Sequence, residues 1–507
     1  MQRLRIVRGL SFSVVRDGLV SVWQPQRREH VPIASDLVTL LLAFGDGKTL
    51  AEASAASGLV NGALDDAVAQ LVRRELLVPV GAAPVRAPPR PVARERIEQL
   101  IDRGTFEERA AGPIVAGHAQ LDGRRVAIAA WEPDADDGVE DLLRLQEIVL
   151  QTPCPFVYLL DRFAVGSAPG ELLGARSLGR VYANQARMAG RAPQVAVVCG
   201  ALSRPAALLP VNCDAVIVVD GHGFIQIADT ELVKELTGED ATPDSLGGAR
   251  LHAEHSGLAH LVAASTLDAA TLVRRYLALM PHHASAPLPR TAAAPPPALA
   301  PAALDALVPT DDSPFPIHDL VRALLDEGSP LELRAAWTKE LSTTLGRLEG
   351  MPVGVIANCS QHKSGLLTPD ALDKAAQFVA LCDAYHLPLL FLVDVLGLAI
   401  GRAAERAGIE RAAGRLLAAL ASSTNPKLTL LVRRANPLGL LAMCGPAFDA
   451  DTTLALPTAA LSTMHAPVVP ASQARRALLL PLSTSSTSSS QHRDIPRRAK
   501  TGVNLRG

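Results

Sequence analysis

Residues 352–397 read PVGVIANCSQHKSGLLTPDALDKAAQFVALCDAYHLPLLFLVDVLG, and this stretch decides the fold class. Val353–Ala357 is a short apolar run that predicts a strand buried on both faces. Thr368 or Asp370 can cap the helix that follows, and Leu389–Val393 predicts a second buried strand that ends just before Asp394. Two parallel strands that are joined by a helix require a right-handed crossover, so the stretch predicts an α/β fold.

The same order of segments occurs twice in the chain. Four segments recur at offsets of 224 to 233 residues, namely LIDRGTFEE (100–108) as LLDEGSPLE (324–332), LDGRRVAIA (121–129) as LEGMPVGVI (348–356), PFVYLLD (155–161) as PLLFLVD (388–394), and PQVAVVCG (193–200) as PKLTLLVR (426–433). Four pairs in one order are a strong sign of duplication. The sequence therefore predicts two copies of one α/β fold, with apolar strands buried between helices.

Residues 352–397 as a whole resemble the C-terminal half of the acyl-CoA carboxyltransferases, the beta subunits of biotin-dependent acetyl- and propionyl-CoA carboxylases. The first copy is similar to the N-terminal half of that family. Its LGGA…H…SG signature lies at Leu246, Gly247, Gly248, Ala249, His252, Ser256 and Gly257. The resemblance covers about Arg94 to Met464. It implies an α/β chain with tandem duplicated crotonase-like domains, the carboxyltransferase N and C domains.

A small unit precedes this body. SFSVVRDGLVSVW (11–23) predicts a hairpin that turns at Asp17-Gly18. Three helical patterns and a closing strand follow at Ala34–Ala43, Thr49–Ser57, Ala63–Glu75 and Leu76–Val80. This order predicts a winged-helix-like domain. The pattern LLLAFGDGKTLAEA…LDDAVAQLVRRELLV is similar to the PqqD-like peptide-recognition modules, which implies a leader peptide bound as an added strand. A small adaptor or dimerisation domain is the alternative.

Proline-rich and polar stretches divide the chain. Proline fixes φ and removes a donor, so the Pro-rich stretches predict extended linkers. The stretch from Ser483 onward is Ser/Thr-rich and then basic, a composition typical of disorder. The predicted divisions are a PqqD-like winged-helix module (1–80), a Pro-rich linker (81–93), a carboxyltransferase N-like crotonase domain (94–283), an Ala/Pro linker (284–312), a carboxyltransferase C-like crotonase domain (313–470) and a disordered tail (471–507).

Composition excludes several classes of function. The 507 residues are 48% hydrophobic and 20% charged with a net charge of −2, so no global basicity indicates nucleic-acid binding. The six cysteines show no CxxC spacing that could build a zinc ribbon, and we interpret them as reduced core residues. The apolar runs are too short to span a bilayer and no signal peptide is evident, so we expect a cytoplasmic protein without a membrane partner.

The family resemblance implies that chemistry resides in two glycine-rich turns at helix starts, one in each half. Their backbone N–H groups stabilise negative charge on the biotin ureido oxygen and on the thioester enolate. In this chain Arg204 and Pro205 replace two glycines, and Pro437 takes a glycine position in the second half. Because proline has no N–H, we expect donors to be missing on both sides. The candidate oxyanion-equivalent residues are Arg204, Pro205, Ala206, Pro437, Leu438 and Gly439.

The resemblance also indicates an acyl-CoA and biotin cleft. Its candidate residues are Gly200, Gly247, Gly248, His252 and Gly397. For His252 we favour a structural hydrogen bond over catalysis, and the histidine spacing predicts no metal site. The chain has no Met-Lys-Met type biotin-attachment turn, so we expect no covalent cofactor and any biotin to arrive on a partner protein. In the family the N half of one subunit faces the C half of another, which implies at least a dimer.

Three functions remain open at this point. The first is a divergent carboxyltransferase homologue that binds an acyl-CoA thioester and acts in a modified-peptide (natural product) pathway, with degenerate oxyanion turns. The second is a non-catalytic scaffold that binds a leader peptide. The third is an active biotin-dependent carboxylase beta subunit. A neighbouring biotin carboxylase gene favours the third function, whereas a short precursor-peptide gene favours the others.

Overall fold

The computed structural model describes most of the chain as two compact units, Met1–Pro89 and Arg90–Gly507. The described residues are 4–6, 11–14, 19–24, 29–45, 48–57, 64–73, 76–79, 92–133, 138–162, 172–296, 301–459 and 468–485. Within these ranges, no helix combines the length and the apolar character that crossing a membrane requires.

The described residues of the first unit form two small sheets and three helices. Its elements are β1 (Leu4–Ile6), β2 (Ser11–Val14), β3 (Leu19–Gln24), β4 (Glu29–Ala34), α1 (Ser35–Phe44), α2 (Leu50–Ser57), α3 (Leu64–Arg73) and β5 (Leu77–Pro79). Strands β2, β3 and β4 form an antiparallel sheet, and β1 pairs with β5. The hairpin prediction is confirmed for its two strands, whereas its turn at Asp17-Gly18 lies outside the described residues. Strand β4 was not predicted, because EHVPIA lacks clear alternation and contains a proline.

The first half of the second unit runs from α4 to α10. Its elements are α4 (Val92–Leu100), β6 (Glu107–Ala111), β7 (Ile114–Leu121), β8 (Arg124–Trp131), α5 (Val139–Gln151), β9 (Phe156–Leu160), α6 (Leu178–Met188), β10 (Gln194–Val198), β11 (Ala201–Ser203), β12 (Ala215–Val219), β13 (Phe224–Gln226), α7 (Thr230–Thr237), α8 (Pro243–Gly247), α9 (Ala249–Glu254), β14 (Leu261–Ala263) and α10 (Thr266–Leu279). A 3-10 turn at Arg204–Leu208 follows β11.

The second half runs from α12 to β20, after a short helix α11 (Pro301–Asp305). Its elements are α12 (Ile317–Leu324), β15 (Leu331–Leu333), β16 (Leu341–Leu348), β17 (Met351–Asn358), α13 (Pro369–Ala384), β18 (Leu389–Val395), α14 (Arg402–Ala407), α15 (Ile409–Ser422), β19 (Lys427–Ala435), α16 (Pro437–Ala442) and β20 (Thr452–Ala455). A final helix, α17 (Ala471–Ser485), ends the described chain.

Six strands of the first large sheet, β6 to β10 and β12, have the same order and pairing as the six strands of the second, and β14 is added at the edge of the first; this match confirms the predicted duplication. The first sheet has the order β14-β12-β10-β9-β8-β7-β6, and the second has the order β15-β16-β17-β18-β19-β20. In each sheet the first two pairings along the chain are antiparallel and the following ones are parallel. Helices α5 and α13 occupy equivalent crossovers, as do α6 and α15. Each half is thus one copy of a mixed α/β layer.

Residues 352–397 fold in the order of elements that their sequence predicts. Strands β17 and β18 are parallel, with Gly354 opposite Leu389, and every residue in both strands is buried. Thr368 caps α13, because its hydroxyl accepts a hydrogen bond from the Ala371 N–H. Both strands are longer than predicted: β17 extends beyond Val353–Ala357 at both ends, and β18 continues through Asp394 to Val395, since that carboxylate is neutralised inside the protein.

The two halves of the second unit share a core. One apolar cluster contains both Val195 of the first sheet and Phe391 of the second. The hydroxyl of Tyr385, just after α13, donates to the Asp214 carboxylate at 2.7 Å and approaches the Ala192 carbonyl oxygen at 2.9 Å. Apolar burial and this buried polar contact hold α13 against the first half.

The described parts of segment 284–312 and residues 471–485 are more structured than predicted. The Thr291 N–H donates to the Gly350 carbonyl oxygen and the Glu327 N–H donates to that of Ala294, so the Ala/Pro stretch lies against the second half. The prediction of disorder from residue 471 is wrong as far as Ser485. The helix α17 was missed because its apolar face is sparse, and on that face Ala471, Ala474 and Leu478 are buried in the second-half core.

Truncating this face should destabilise the second unit. We expect Leu478→Ala to lower the free energy of unfolding by about 2–5 kcal/mol, because it removes a fully buried side chain and leaves a cavity. The exposed Gln473 lies on the same helix, and Gln473→Ala should change that free energy by less than about 0.5 kcal/mol. Urea unfolding followed by circular dichroism measures both. Equal effects of the two substitutions would contradict the placement of α17 in the core.

Candidate functional site

The two candidate turns occupy equivalent places in the duplicated fold. In the first half the 3-10 turn at Arg204–Leu208 follows β10 and the short strand β11. In the second half α16 begins at Pro437, directly after β19. Both therefore lie beyond the C-terminal end of a buried parallel strand, the edge at which α/β sheets usually bind ligands.

The first-half turn has few backbone donors to offer. The Arg204 N–H donates to the Ile227 carbonyl oxygen at 3.0 Å, and Pro205 has no N–H. Of the first three positions of the turn, Ala206 therefore carries the remaining N–H. The Arg204 side chain forms an exposed ion pair with Asp229 at 3.2 Å, so it points to a local partner.

The second-half turn is depleted in the same way. Pro437 occupies the first helical position and has no N–H, while the Leu438 N–H donates to the Asn436 side-chain oxygen at 3.2 Å. Gly439 carries the remaining first-turn N–H. A Cβ at Gly439 would lie 2.7 Å from the Val395 methyl groups and 3.1 Å from the Gly397 Cα, so close packing requires glycine there. The predicted residues Pro437, Leu438, Gly439 and Gly397 thus lie together.

Two buried carboxylates, at repeat-equivalent positions, support these turns. Asp394 is fully buried and pairs with Arg433 at 2.9 Å and Arg434 at 2.8 Å. Burial alone would raise the pKa of Asp394, but the hydrogen bonds from Arg434 and Arg433 outweigh it, so the pKa lies below its usual value. Asp161 instead pairs with Arg96 from α4. Sequence reasoning missed this pair of carboxylates, although the recurrence of PFVYLLD as PLLFLVD carries it.

Gly200 has a structural reason to be glycine. It stands where the second half has Arg433, and a Cβ there would lie 2.0 Å from the Asp161 Oδ1 atom. The close approach of the Asp161 carboxylate therefore excludes any side chain at this position. The predicted cleft residue Gly200 thus lies beside the buried ion pair.

Gly247, Gly248 and His252 support the strand next to the first turn. The His252 Nε2 atom lies 2.6 Å from the Ile225 carbonyl oxygen in β13, and its Nδ1 atom lies 2.8 Å from the Ser256 hydroxyl. A carbonyl oxygen only accepts, so Nε2 donates and both ring nitrogens are engaged. A Cβ at Gly247 would lie 2.4 Å from the same carbonyl oxygen, and Gly248 precedes α9. These contacts favour the structural hydrogen bond predicted for His252.

Exposed apolar side chains flank both turns. Leu208, which is 43% exposed, belongs to the first turn, and the carbonyl oxygen of Ile227, which is 68% exposed, accepts the Arg204 N–H beside it. Ile400, which is 90% exposed, Leu396 and Leu438 belong to the segments around the second turn. Monomeric proteins rarely leave several large apolar side chains exposed around one site, so these side chains indicate surfaces that another molecule covers.

Comparison with known proteins is consistent with this architecture. The model of the carboxyl transferase domain matches residues 84–474. An uncharacterized carboxylase, YngE, of Bacillus subtilis is 35% identical over 392 residues, covering 73% of this chain and 76% of that protein. A propionyl-CoA carboxylase beta chain of Saccharopolyspora erythraea is 32% identical over 408 residues, covering 74% of each chain.

Solved structures show the same fold. A transcarboxylase 12S structure, a hexamer assembly with methylmalonyl-coenzyme A and methylmalonic acid bound, matches with a TM-score of 0.74 and 26% identity. That match covers 79% of this chain and 91% of that chain. The matches confirm the crotonase-like fold expected for the two halves, and the family model alone spans well over half of the sequence. This chain therefore belongs to the carboxyltransferase family of the acyl-CoA carboxylases.

Proposed function

We propose that this protein is a divergent acyl-CoA carboxyltransferase homologue, which binds an acyl-CoA thioester and has lost standard carboxyl transfer from biotin. The depletion of backbone donors in both turns carries this proposal. In each turn one first-turn position is a proline and a second N–H is already bonded within the protein. Only Ala206 and Gly439 keep an N–H for a developing oxyanion.

The chemistry of the family makes this loss costly. Carboxyl transfer builds negative charge on the biotin ureido oxygen and on the thioester enolate, one at each turn. Removing one preorganised donor of an oxyanion hole typically lowers the rate by about 10²–10³-fold. With a donor missing in both turns, we expect the normal reaction to be slower by about the product of the two factors.

The relatives support the proposal that this chain keeps a cleft for acyl-CoA. The Saccharopolyspora relative is named as a propionyl-CoA carboxylase beta chain, and the transcarboxylase 12S structure holds methylmalonyl-coenzyme A. The transcarboxylase is also described as a hexamer assembly, and the apolar side chains around both turns are suited to a second copy of this chain. We therefore propose that this chain forms a homo-oligomer. We also propose that it carries no covalent cofactor, that biotin reaches it only on a partner protein, and that it acts in the cytoplasm.

The first unit lies almost entirely outside the matched family region, which begins at residue 84. We propose that this PqqD-like winged-helix module binds a leader peptide, which would place the protein in a modified-peptide pathway. The sheet β2-β3-β4 supplies two outer strands, β2 and β4, to which an extended peptide can add by main-chain hydrogen bonds. The alternative is a non-catalytic scaffold that binds the leader peptide but does not bind acyl-CoA.

An active carboxylase beta subunit is the second candidate. The observation in its favour is the one N–H that each turn retains, at Ala206 and Gly439, together with 32% identity to a named beta chain over 74% of its length. Its weakness is the same pair of prolines, Pro205 and Pro437.

Binding of acyl-CoA separates the first proposal from the scaffold. We expect purified protein to bind at least one of acetyl-, propionyl- or malonyl-CoA with a micromolar Kd, because the family fold that forms the cleft is kept. Isothermal titration calorimetry measures this, with ADP as the control ligand that lacks the acyl arm. If none of the three thioesters binds, the acyl-CoA proposal fails and the scaffold remains.

Restoring the missing donors should increase carboxyl transfer. We expect the double variant Pro205→Gly with Pro437→Gly to transfer carboxyl groups from methylmalonyl-CoA to free biotin at least about tenfold faster than the native chain, because each glycine adds an N–H. Pro369→Gly is the matched control, since Pro369 holds the first position of α13 away from both turns. A double variant no faster than this control would contradict the role assigned to the prolines.

A further inference from the structure

A cavity of about 640 Å³ lies between the two halves of the second unit. Cys213 and Asp214, which precede β12, and His260, which precedes β14, contribute one side, while the β15–β16 loop and α13 contribute the other. The cavity therefore lies at the N-terminal ends of the parallel strands. Both candidate turns lie at the opposite, C-terminal ends, so this cavity is distinct from the proposed acyl-CoA site.

The cavity contains a positive charge that the protein leaves unpaired. No carboxylate among the described residues forms an ion pair with the Arg334 guanidinium, and its buried Nε atom has no hydrogen-bond partner there. Its only charge-stabilising contact in these residues is the Trp337 ring, whose centroid lies 5.6 Å away. Burial lowers the pKa of Arg334 to about 10, so the side chain stays charged at neutral pH. Arg334 is half-buried, and a charge that is partly withdrawn from water without a partner is costly to keep.

The loop that carries Arg334 is held firmly in place. The buried ammonium group of Lys374, on α13, donates to the carbonyl oxygens of Arg334, Trp337 and Leu341 at 2.9, 2.8 and 2.7 Å. The Arg334 N–H donates to the His260 carbonyl oxygen at 2.7 Å. These bonds fix the loop backbone to both halves, so the Arg334 side chain starts from a fixed position at the cavity.

The other ionisable groups of the cavity are satisfied within the protein. The Asp214 carboxylate accepts hydrogen bonds from the Tyr385 hydroxyl and the Gln194 N–H, both at 2.7 Å. The His260 Nδ1 atom accepts the Val216 N–H at 3.1 Å, and burial holds the pKa of His260 well below its usual value, so this ring is neutral. Arg334 is therefore the one cationic side chain in the described lining, and no carboxylate among the described residues pairs with it.

We propose that this cavity binds an organic monocarboxylate with an apolar tail, whose carboxylate pairs with Arg334. A guanidinium matches a carboxylate in bidentate geometry. Much of the remaining lining is apolar and includes Val211, Leu258, Leu333, Phe378 and Leu381. The volume lies within the range of about 300–1,000 Å³ that is typical of small-molecule sites. A single arginine among apolar side chains suits a carboxylate better than a highly charged phosphate group.

Octanoate tests the proposal on the full chain. Titration calorimetry should detect octanoate binding to native protein with one site per chain. Octan-1-ol, which has the same tail without a charge, should bind at least about tenfold more weakly. Arg334→Gln should weaken octanoate binding at least about tenfold, whereas Arg322→Gln, at an exposed arginine paired with Asp319, should leave it unchanged. Equal affinity for the acid and the alcohol, no octanoate binding, or full affinity in Arg334→Gln would overturn the proposal.

A stability measurement separates binding from a structural role of Arg334. Because Arg334→Gln removes a half-buried charge that no carboxylate among the described residues pairs, its Tm without ligand should equal or exceed that of the native protein. Octanoate should raise the Tm of the native protein but not of this variant. A large loss of Tm in Arg334→Gln would mean that the guanidinium serves the fold and would overturn the proposal.

A second variant keeps the test decisive. Ala380 lies on the exposed side of α13 and lines the cavity, so Ala380→Trp should fold normally and fill the space that the tail needs. We expect it to abolish octanoate binding while leaving acyl-CoA binding unchanged, because the turns lie at the other end of the strands. Octanoate binding that survives Ala380→Trp would show that the cavity is not the site. If native protein binds octanoate but no acyl-CoA, the proposed function fails while the proposal for this cavity stands.

Discussion

The second unit depends on how it neutralises a carboxylate buried at the end of a central strand. In the second half, Asp394 is fully buried and bonded by Arg433 and Arg434, which lie on the neighbouring strand. Breaking such a pair leaves an uncompensated buried charge, which typically costs about 3–5 kcal/mol. The same arginines bind the Ser313 and Ser364 carbonyl oxygens, so the network joins the segment before α12 and the loop after β17 to the sheet. The turn at Asn436 begins directly after this network.

The first half neutralises its buried carboxylate with an arginine from a different element. Asp161 occupies the equivalent place, but its arginine comes from α4, and Gly200 stands where the second half has Arg433. Both solutions fix the strand ends from which the two candidate turns begin. The described residues thus form the sheet and helices of the family fold in both halves, while in each turn one position is a proline without an N–H and another N–H is bonded within the protein. That contrast is the basis for proposing a retained cleft with altered chemistry.

Local patterns predicted the fold well because its central strands are short apolar runs with a helix between them. Val353–Ala357 and Leu389–Val393 lie inside β17 and β18, and the repeated segments have the same topology. The helix α17 escaped prediction because its apolar face is sparse and is recognisable only from the core that covers it. Residues that act across the chain were also missed. Arg334 resembles surface charge in sequence, yet Lys374 and His260 hold it in a cavity formed by residues far apart in the chain.

The most direct test of the account is carboxyl transfer by the native protein itself. Purified full-length protein is mixed with free biotin and with radiolabelled methylmalonyl-CoA at a concentration that saturates the acyl-CoA site. The label that appears in carboxybiotin is followed over a single turnover. The account predicts bound thioester but no transfer above the protein-free background, because Pro205 and Pro437 remove donors from the two turns. Rapid, stoichiometric formation of carboxybiotin would contradict it.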